Sequence, residues 1–261
     1  MTDQEAAAAT TSVAIAVMCE PPIATGDFRL TPPLSTEEVA ALCTCFIADL
    51  AATIGGLDPA LNVRGVAAFA PTYSEEALRG LLPPAFTLLP QRGDTRGERC
   101  AAVVADLLAA GYAGVCLLDA DSPTLPASLL HDAVAALSQP GERVVLGPAL
   151  DGGYTLIGLR RACPELFDGI DWRTPRVLAQ TIARAKALSL SVESLLPWYD
   201  VDDRLELTWL IRELLGDGIA PVASGRTGAG APRTRAYLAA LGQRGDGPPA
   251  DPNLRGLPPG L

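Results

Sequence analysis

Positive charge of one kind is almost missing from this chain: of 261 residues one is lysine, Lys186, and arginine supplies every other basic side chain. Acid outweighs base, 30 Asp and Glu against 20 Lys and Arg, for a formal charge of −10. A nucleic-acid backbone would be repelled by that balance, so nucleic acid is not expected as a partner. The acidity also serves simple solubility. Histidine is nearly absent too, and with His131 alone a histidine-rich metal centre is excluded. The six cysteines, at 19, 43, 45, 100, 116 and 163, include no CxxC pair. Most sit in apolar runs such as Gly114-Val-Cys-Leu-Leu118, so they read as buried free thiols rather than a disulfide frame or zinc site. Any metal is therefore expected on oxygen ligands, which points to Mg2+ or Mn2+. No apolar run approaches the roughly 20 residues of a membrane span. Met1 to Thr11 is acidic and alanine-rich, without the basic start of a signal peptide. The expectation is a soluble, cytoplasmic protein with no membrane partner.

What is present is a globular composition, 49% hydrophobic and 19% charged, with no internal repeat. Apolar runs of strand length alternate with stretches of helical period. Strands are expected over 13–18, 65–70, 86–89, 115–118, 143–147, 154–158 and 192–196. Ser35-Thr-Glu-Glu38 reads as a capping box for a helix that stops at Gly55-Gly56. Further helices are expected from Ser74, over 97–110 and 127–137, from Thr174-Pro175 to Leu188, and over 204–215. This alternation argues for an α/β fold with a mostly parallel sheet and helices on both faces. Such sheets bind ligands at the carboxyl ends of their strands, where strand order reverses. Residues 12–224 form the expected domain. Residues 225–261 form a Gly/Pro/Arg-rich tail with a short helix near 234–241.

The chemistry should lie where apolar strands run into acid. In Leu117-Leu-Asp-Ala-Asp-Ser-Pro-Thr-Leu-Pro126 a buried strand ends in Asp119 and Asp121. Alternate side chains of an extended chain share a face, so both carboxylates can point the same way. Two such charges repel unless a cation or donors lie between them, and a magnesium ion on diphosphate oxygens would suit. A turn or cap role for Asp121 is the alternative. Trp198-Tyr-Asp-Val-Asp-Asp203 is a second acidic group, readable as a helix N-cap or as the source of another carboxylate, Asp202, for the same cation. Asp151-Gly-Gly-Tyr154 sits between two strands. Gly152 and Gly153 could let a ligand approach the backbone, or could simply make a hairpin. Tyr154 and Trp172 could stack on a sugar or base, or could be core.

Together these segments resemble one family, the GT-A-like radical-SAM/selenodomain-associated transferases, type 1, within the nucleotide-diphospho-sugar transferase superfamily. The resemblance spans about Val13 to Leu241. It rests on Arg29-Leu-Thr-Pro-Pro-Leu-Ser35, Gly97-Glu-Arg99, Asp121-Ser-Pro-Thr-Leu-Pro126, Gly147-Pro-Ala-Leu-Asp-Gly-Gly-Tyr154 with Ile157-Gly-Leu159, Trp172-Arg-Thr-Pro-Arg-Val-Leu178, Asp200-Val-Asp202 and Pro232-Arg-Thr-Arg235. It implies a GT-A three-layer sandwich, a metal at Asp121 and Asp202, and Arg29 and Arg99 facing phosphates. Two departures stand out. The first loop carries Glu20 and Asp27 where the family has lysines, and Asp119 replaces a usual glycine, creating an Asp-x-Asp pattern.

The expected function is metal-dependent glycosyl transfer from a nucleotide-diphospho-sugar to a small-molecule acceptor. Asp119, Asp121 and Asp202 would hold Mg2+ or Mn2+. Asp121 and Asp151 would serve catalysis, Asp151 by positioning the acceptor or taking its proton. Arg29, Arg99, Gly152, Gly153 and Tyr154 would bind the nucleotide. The alternatives are nucleotidyl transfer from an NTP to a small phosphorylated or sugar acceptor, and a nucleotide-binding protein that has lost catalysis through its altered first loop.

Overall fold

The structure, a computed structural model, describes residues 12–19, 30–70, 75–222 and 225–243. Its strands are β1 (Val13–Cys19), β2 (Val63–Phe69), β3 (Thr87–Pro90), β4 (Gly114–Asp119), β5 (Arg143–Pro148), β6 (Tyr154–Leu159) and β7 (Ser191–Ser194). Its helices are α1 (Thr36–Gly55), α2 (Glu75–Arg79), α3 (Arg96–Ala109), α4 (Ala127–Ser138), α5 (Val177–Ala187), α6 (Arg204–Leu215) and α7 (Pro232–Gln243). The strands make one sheet in the order β3-β2-β1-β4-β6-β5-β7. Only β6 runs against its neighbours β4 and β5. The expected mostly parallel α/β sheet is what forms.

Strand pleating divides the core. Val13, Ile15, Val17 and Cys19 of β1 face one layer with α1, α4, α6 and α7, while Ala14, Ala16 and Met18 face α3 and α5. β1 is buried along its whole length, as a strand with helices on both faces must be. Its register sets Met18 beside Asp119, so β1 and β4 end level. From β1 the chain steps outward through β2 to β3, then returns to β4 on the other side. That reversal opens the crevice holding the site.

Capping fixes several helix starts. Ser35 and Glu38 form the expected box on α1, and Thr95 with Glu98 forms another on α3. One sequence expectation needs correction: α1 is 20 residues long and apolar enough to cross a membrane. Here it lies against the sheet, and its buried Asp49 accepts the backbone N–H groups of Arg233 and Thr234 at 3.1 and 2.8 Å. This supplies α7 with a cap from another helix and explains why α7 starts at Pro232, ahead of the expected 234. Likewise α5 begins at Val177 rather than at Pro175, because the Leu178 N–H is taken by the Gly152 carbonyl at 3.0 Å.

Candidate functional site

Three acidic segments meet at the carboxyl end of the sheet. The first follows β4 directly, where Asp119, Ala120 and Asp121 line a cleft of about 370 Å³. Asp121 does not cap the following helix, whose N-cap is Pro126 without a side-chain bond. Its Oδ1 is buried with no hydrogen-bond partner. Burial, then the charges of Asp119, Asp202 and Asp200, hold its carboxyl well above the ordinary range.

The second segment is the β5–β6 turn. Ala149 N–H bonds to the Gly153 carbonyl at 3.0 Å, and Asp151 Oδ1 accepts the Gly153 N–H at 2.7 Å. Gly152 has φ of 93°, and a Cβ there would lie 2.8 Å from Pro175 Cα. That glycine serves turn packing; Gly153 and Asp151 line the cleft.

The third segment precedes α6. Asp203, not Asp202, is the N-cap, in a box with Glu206, whose carboxylate accepts the N–H groups of Asp202 and Asp203 at 2.6 and 3.0 Å. Asp202 is thereby turned into the cleft beside Asp200. Two buried aromatics, Trp198 and Tyr199, anchor the segment from behind. Trp198 Nε1 donates to Thr124 Oγ1 at 3.4 Å, and the Tyr199 hydroxyl donates to the buried Glu213. The Val201 N–H bonds to the Asp121 carbonyl at 2.9 Å, so the first and third segments are tied through backbone as well.

What converges is Asp151, Asp200 and Asp202, whose candidate ligand oxygens lie within 4.8 Å of one another. Two oxygens on opposite sides of a magnesium ion stand about 4.2 Å apart, so small side-chain rotations close the set. Asp200 is 8% exposed and its Oδ1 has no partner. Burial, then Asp151, Asp202 and Glu206, pushes its carboxyl up to about 8. The same negative field reaches the Cys43 thiol on α1, which burial followed by Asp121 and Asp202 raises to about 12. Like charges held this close, with orphaned buried oxygens, fit a divalent cation with oxygen ligands.

The positive side of the cleft is Arg96 and Arg173. Arg96, the first residue of α3, is ion-paired with Asp119 and lies over the Trp172 ring, 5.5 Å from its centroid. The Tyr154 ring meets Trp172 edge-on at 6.5 Å and 80°. Arg173 has φ of 63°, uncommon for a residue with a Cβ.

The site expectations divide accordingly. Asp121, Asp151 and Asp202 are brought together, and Gly153 and Tyr154 line the same cleft. The expected Asp119–Asp121 pair is not the set that converges, because Arg96 engages the Asp119 carboxylate. Arg99 is outside the cleft lining, and its guanidinium donates to the Asp94 carbonyl at 3.2 Å. Arg29, Glu20 and Asp27 lie outside the described residues. Asp200, Arg96 and Arg173 are added by the structure. Asp200 and Arg173 each lie in a segment that carries the family resemblance, Asp200-Val-Asp202 and Trp172-Arg-Thr-Pro-Arg-Val-Leu178, whereas Arg96 lies in none.

Strand order, the single reversed strand β6 and the position of the cleft define a nucleotide-diphospho-sugar transferase-like fold. The chain is similar over 88% of its length to 95% of a protein from Desulfovibrio desulfuricans G20, provisionally named a nucleotide-diphospho-sugar transferase, at 27% identity and TM-score 0.72. CMP:2-keto-3-deoxy-manno-octonic acid synthetase, complexed with CTP, shares the fold at 12% identity and TM-score 0.53, over 80% of this chain and all of that one. So does a 4-diphosphocytidyl-2C-methyl-D-erythritol synthase, at 12% identity and TM-score 0.50, over 79% of this chain and 98% of that one. Residues 57–174 match the profile of a family described as "Uncharacterized protein conserved in bacteria (DUF2064)". No curated protein matches the sequence significantly. The D. desulfuricans likeness and the family match support a place in the nucleotide-diphospho-sugar transferase superfamily and a transferase-like class of enzyme.

Proposed function

We propose that this chain is a metal-dependent transferase that moves a sugar from a nucleotide-diphospho-sugar to a small-molecule acceptor. The observation that carries the reading is the convergence of Asp151, Asp200 and Asp202 from two separate loops, beside the half-buried Asp121, whose Oδ1 is buried without a partner. Asp151, Asp200 and Asp202 would hold the cation, with Asp121 as a further carboxylate at the same place. A bound Mg2+ or Mn2+ would neutralise diphosphate oxygens and so favour departure of the nucleotide. The chain's own contribution is position and charge. Glu206 fixes the backbone of Asp202, the Gly153 N–H fixes Asp151, and the buried Trp198 and Tyr199 keep the Asp200 segment from moving. Asp151 would also orient an acceptor hydroxyl or take its proton. The sequence resemblance to the radical-SAM/selenodomain-associated transferases, type 1, supports the same reading.

The test is thermal denaturation with nucleoside-diphosphate sugars and NTPs, with and without Mn2+, in wild type and Asp200→Asn. A donor at ~100 times its Kd should add roughly 2.7 kcal/mol of stability. The expected result is metal-dependent stabilisation by a nucleotide-sugar that Asp200→Asn abolishes. Stabilisation indifferent to both Mn2+ and the substitution would contradict the reading. Turnover of an NTP with release of pyrophosphate would favour nucleotidyl transfer instead.

A further inference from the structure

Thr124 lies three residues beyond Asp121, is fully buried, and does not line the cleft. We infer that it is a positioning residue for the cation: its side chain joins the loop of Asp121 to the loop of Asp200 and Asp202, and so sets the spacing of their carboxylates. The inference rests on the metal-dependent reading above. It assigns the holding of that site to a buried chain of hydrogen bonds with the C-terminal segment packed behind it.

Four buried side chains make up that chain, and each hydroxyl in it both donates and accepts. Trp198 Nε1 donates to Thr124 Oγ1 at 3.4 Å, Thr124 Oγ1 donates to the Tyr199 hydroxyl at 3.3 Å, and that hydroxyl donates to the Glu213 carboxylate. The series ends on a carboxylate, a strong acceptor, and each bond polarises the next. Trp198 and Tyr199 immediately precede Asp200, while Thr124 follows Asp121 in the loop after β4. Backbone runs beside this link, where the Val201 N–H reaches the Asp121 carbonyl at 2.9 Å. A single bond is a pivot. The second attachment, through Thr124, removes the rotation about it.

The C-terminal segment backs this assembly. The Ala229 N–H bonds to the Thr124 carbonyl at 2.9 Å, so Thr124 is held by its main chain as well as its side chain. At Gly228 a Cβ would overlap Glu213 Oε1 and lie 3.1 Å from both the Thr124 carbonyl oxygen and Trp198 Cζ2. Only a residue without a Cβ lets the segment lie this close. Charge explains why the support must be stiff. Asp121, Asp151, Asp200 and Asp202 repel one another without a cation, and a loose loop would relieve that repulsion by moving its carboxylates apart. Tying the loops together keeps the ligand oxygens at binding distance, as partners behind a metal's own ligands do.

The experiment compares wild type with Thr124→Val, Thr124→Ser, Gly228→Ala and Ile54→Ala. Ile54 is buried at the end of α1, does not line the cleft, and supplies a loss of stability unconnected with the loops. Mn2+ is titrated calorimetrically into each protein. Amide exchange at Val201 and along β2 is followed by NMR without metal, and urea melts give the global stability. If the assignment holds, Thr124→Val weakens Mn2+ binding about tenfold or more. Its Val201 amide also exchanges about tenfold faster than the change in global stability accounts for, while β2 follows global stability. Thr124→Ser, which keeps the hydroxyl, stays within about twofold of wild type in both. Gly228→Ala behaves as Thr124→Val does, and decides the matter should Thr124→Val fail to fold. Ile54→Ala loses stability yet keeps its Mn2+ affinity. A Thr124→Val protein in which either property changes no more than in Ile54→Ala would overturn the assignment. If wild type binds no Mn2+, the metal reading falls, and Val201 exchange alone decides whether Thr124 joins the loops.

Discussion

At the scale of single residues, Asp200 shows the cost a site imposes on its fold. A buried carboxylate beside Asp151 and Asp202 is repelled in the metal-free protein, and Asn fits the same space without the charge. Asp200→Asn should therefore raise the stability of the metal-free protein by about 1–2 kcal/mol while abolishing the Mn2+-dependent gain, a stability–function trade seen in urea melts. A less stable metal-free variant would show that repulsion is relieved some other way. Glu213 allows a pH prediction away from the cation. Burial raises its carboxyl above the ordinary value, with the bond from Tyr199 opposing. The folded state then holds that proton more tightly than the unfolded chain. Its contribution is complete below the usual carboxylate pKa and is lost as pH rises through the folded value. Glu213→Gln should flatten the loss of stability as pH rises above the usual carboxylate range; an identical slope in wild type and variant would contradict this. A strand running into acid points to Asp121, a turn between strands to Asp151, and the acidic run 198–203 with the family resemblance to Asp202. Within that run, sequence alone does not separate ligand from cap, and only coordinates show that Asp203 takes the N-cap and leaves Asp200 beside Asp202. Arg96 was hidden because its partner, Asp119, is 23 residues away and only the fold joins them.

At the scale of elements, two joints hold the site in place. One is the start of α7 on the Asp49 carboxylate, a pairing across 184 residues that no local pattern announces. Asp49→Ala leaves two helix N–H groups without acceptors and should cost about 2–3 kcal/mol in chemical denaturation. Asp49→Asn, which keeps an acceptor, should cost less. Equal losses in the two variants would show that packing rather than capping is at stake. The other joint is the β5–β6 turn against the segment before α5, where Gly152 combines a positive φ with close contact to Pro175. Gly152→Ala should destabilise by about 2–3 kcal/mol and weaken Mn2+ binding through the displaced Asp151. A variant as stable as wild type would refute the fit. Most elements were legible because their periods and caps are strong: Val13–Cys19, Thr36–Gly55 and Arg204–Leu215 form close to where the sequence placed them. The starts of α5 and α7 were not, since tertiary acceptors set them.

At the scale of the whole molecule, the strand order creates a crevice where β1 and β4 part, and the chain brings its carboxylates there from loops after β4, β5 and β7. No one of these loops makes a site. Their meeting depends on the sheet, so the central claim concerns a position in space and is best checked by locating the cation. Crystals soaked in MnCl2 and recorded for anomalous scattering would do so. The account predicts one dominant peak about 2.2 Å from carboxylate oxygens of Asp151, Asp200 and Asp202. A dominant peak bridging Asp119 and Asp121 instead, or no peak in the cleft at saturating Mn2+, would contradict it.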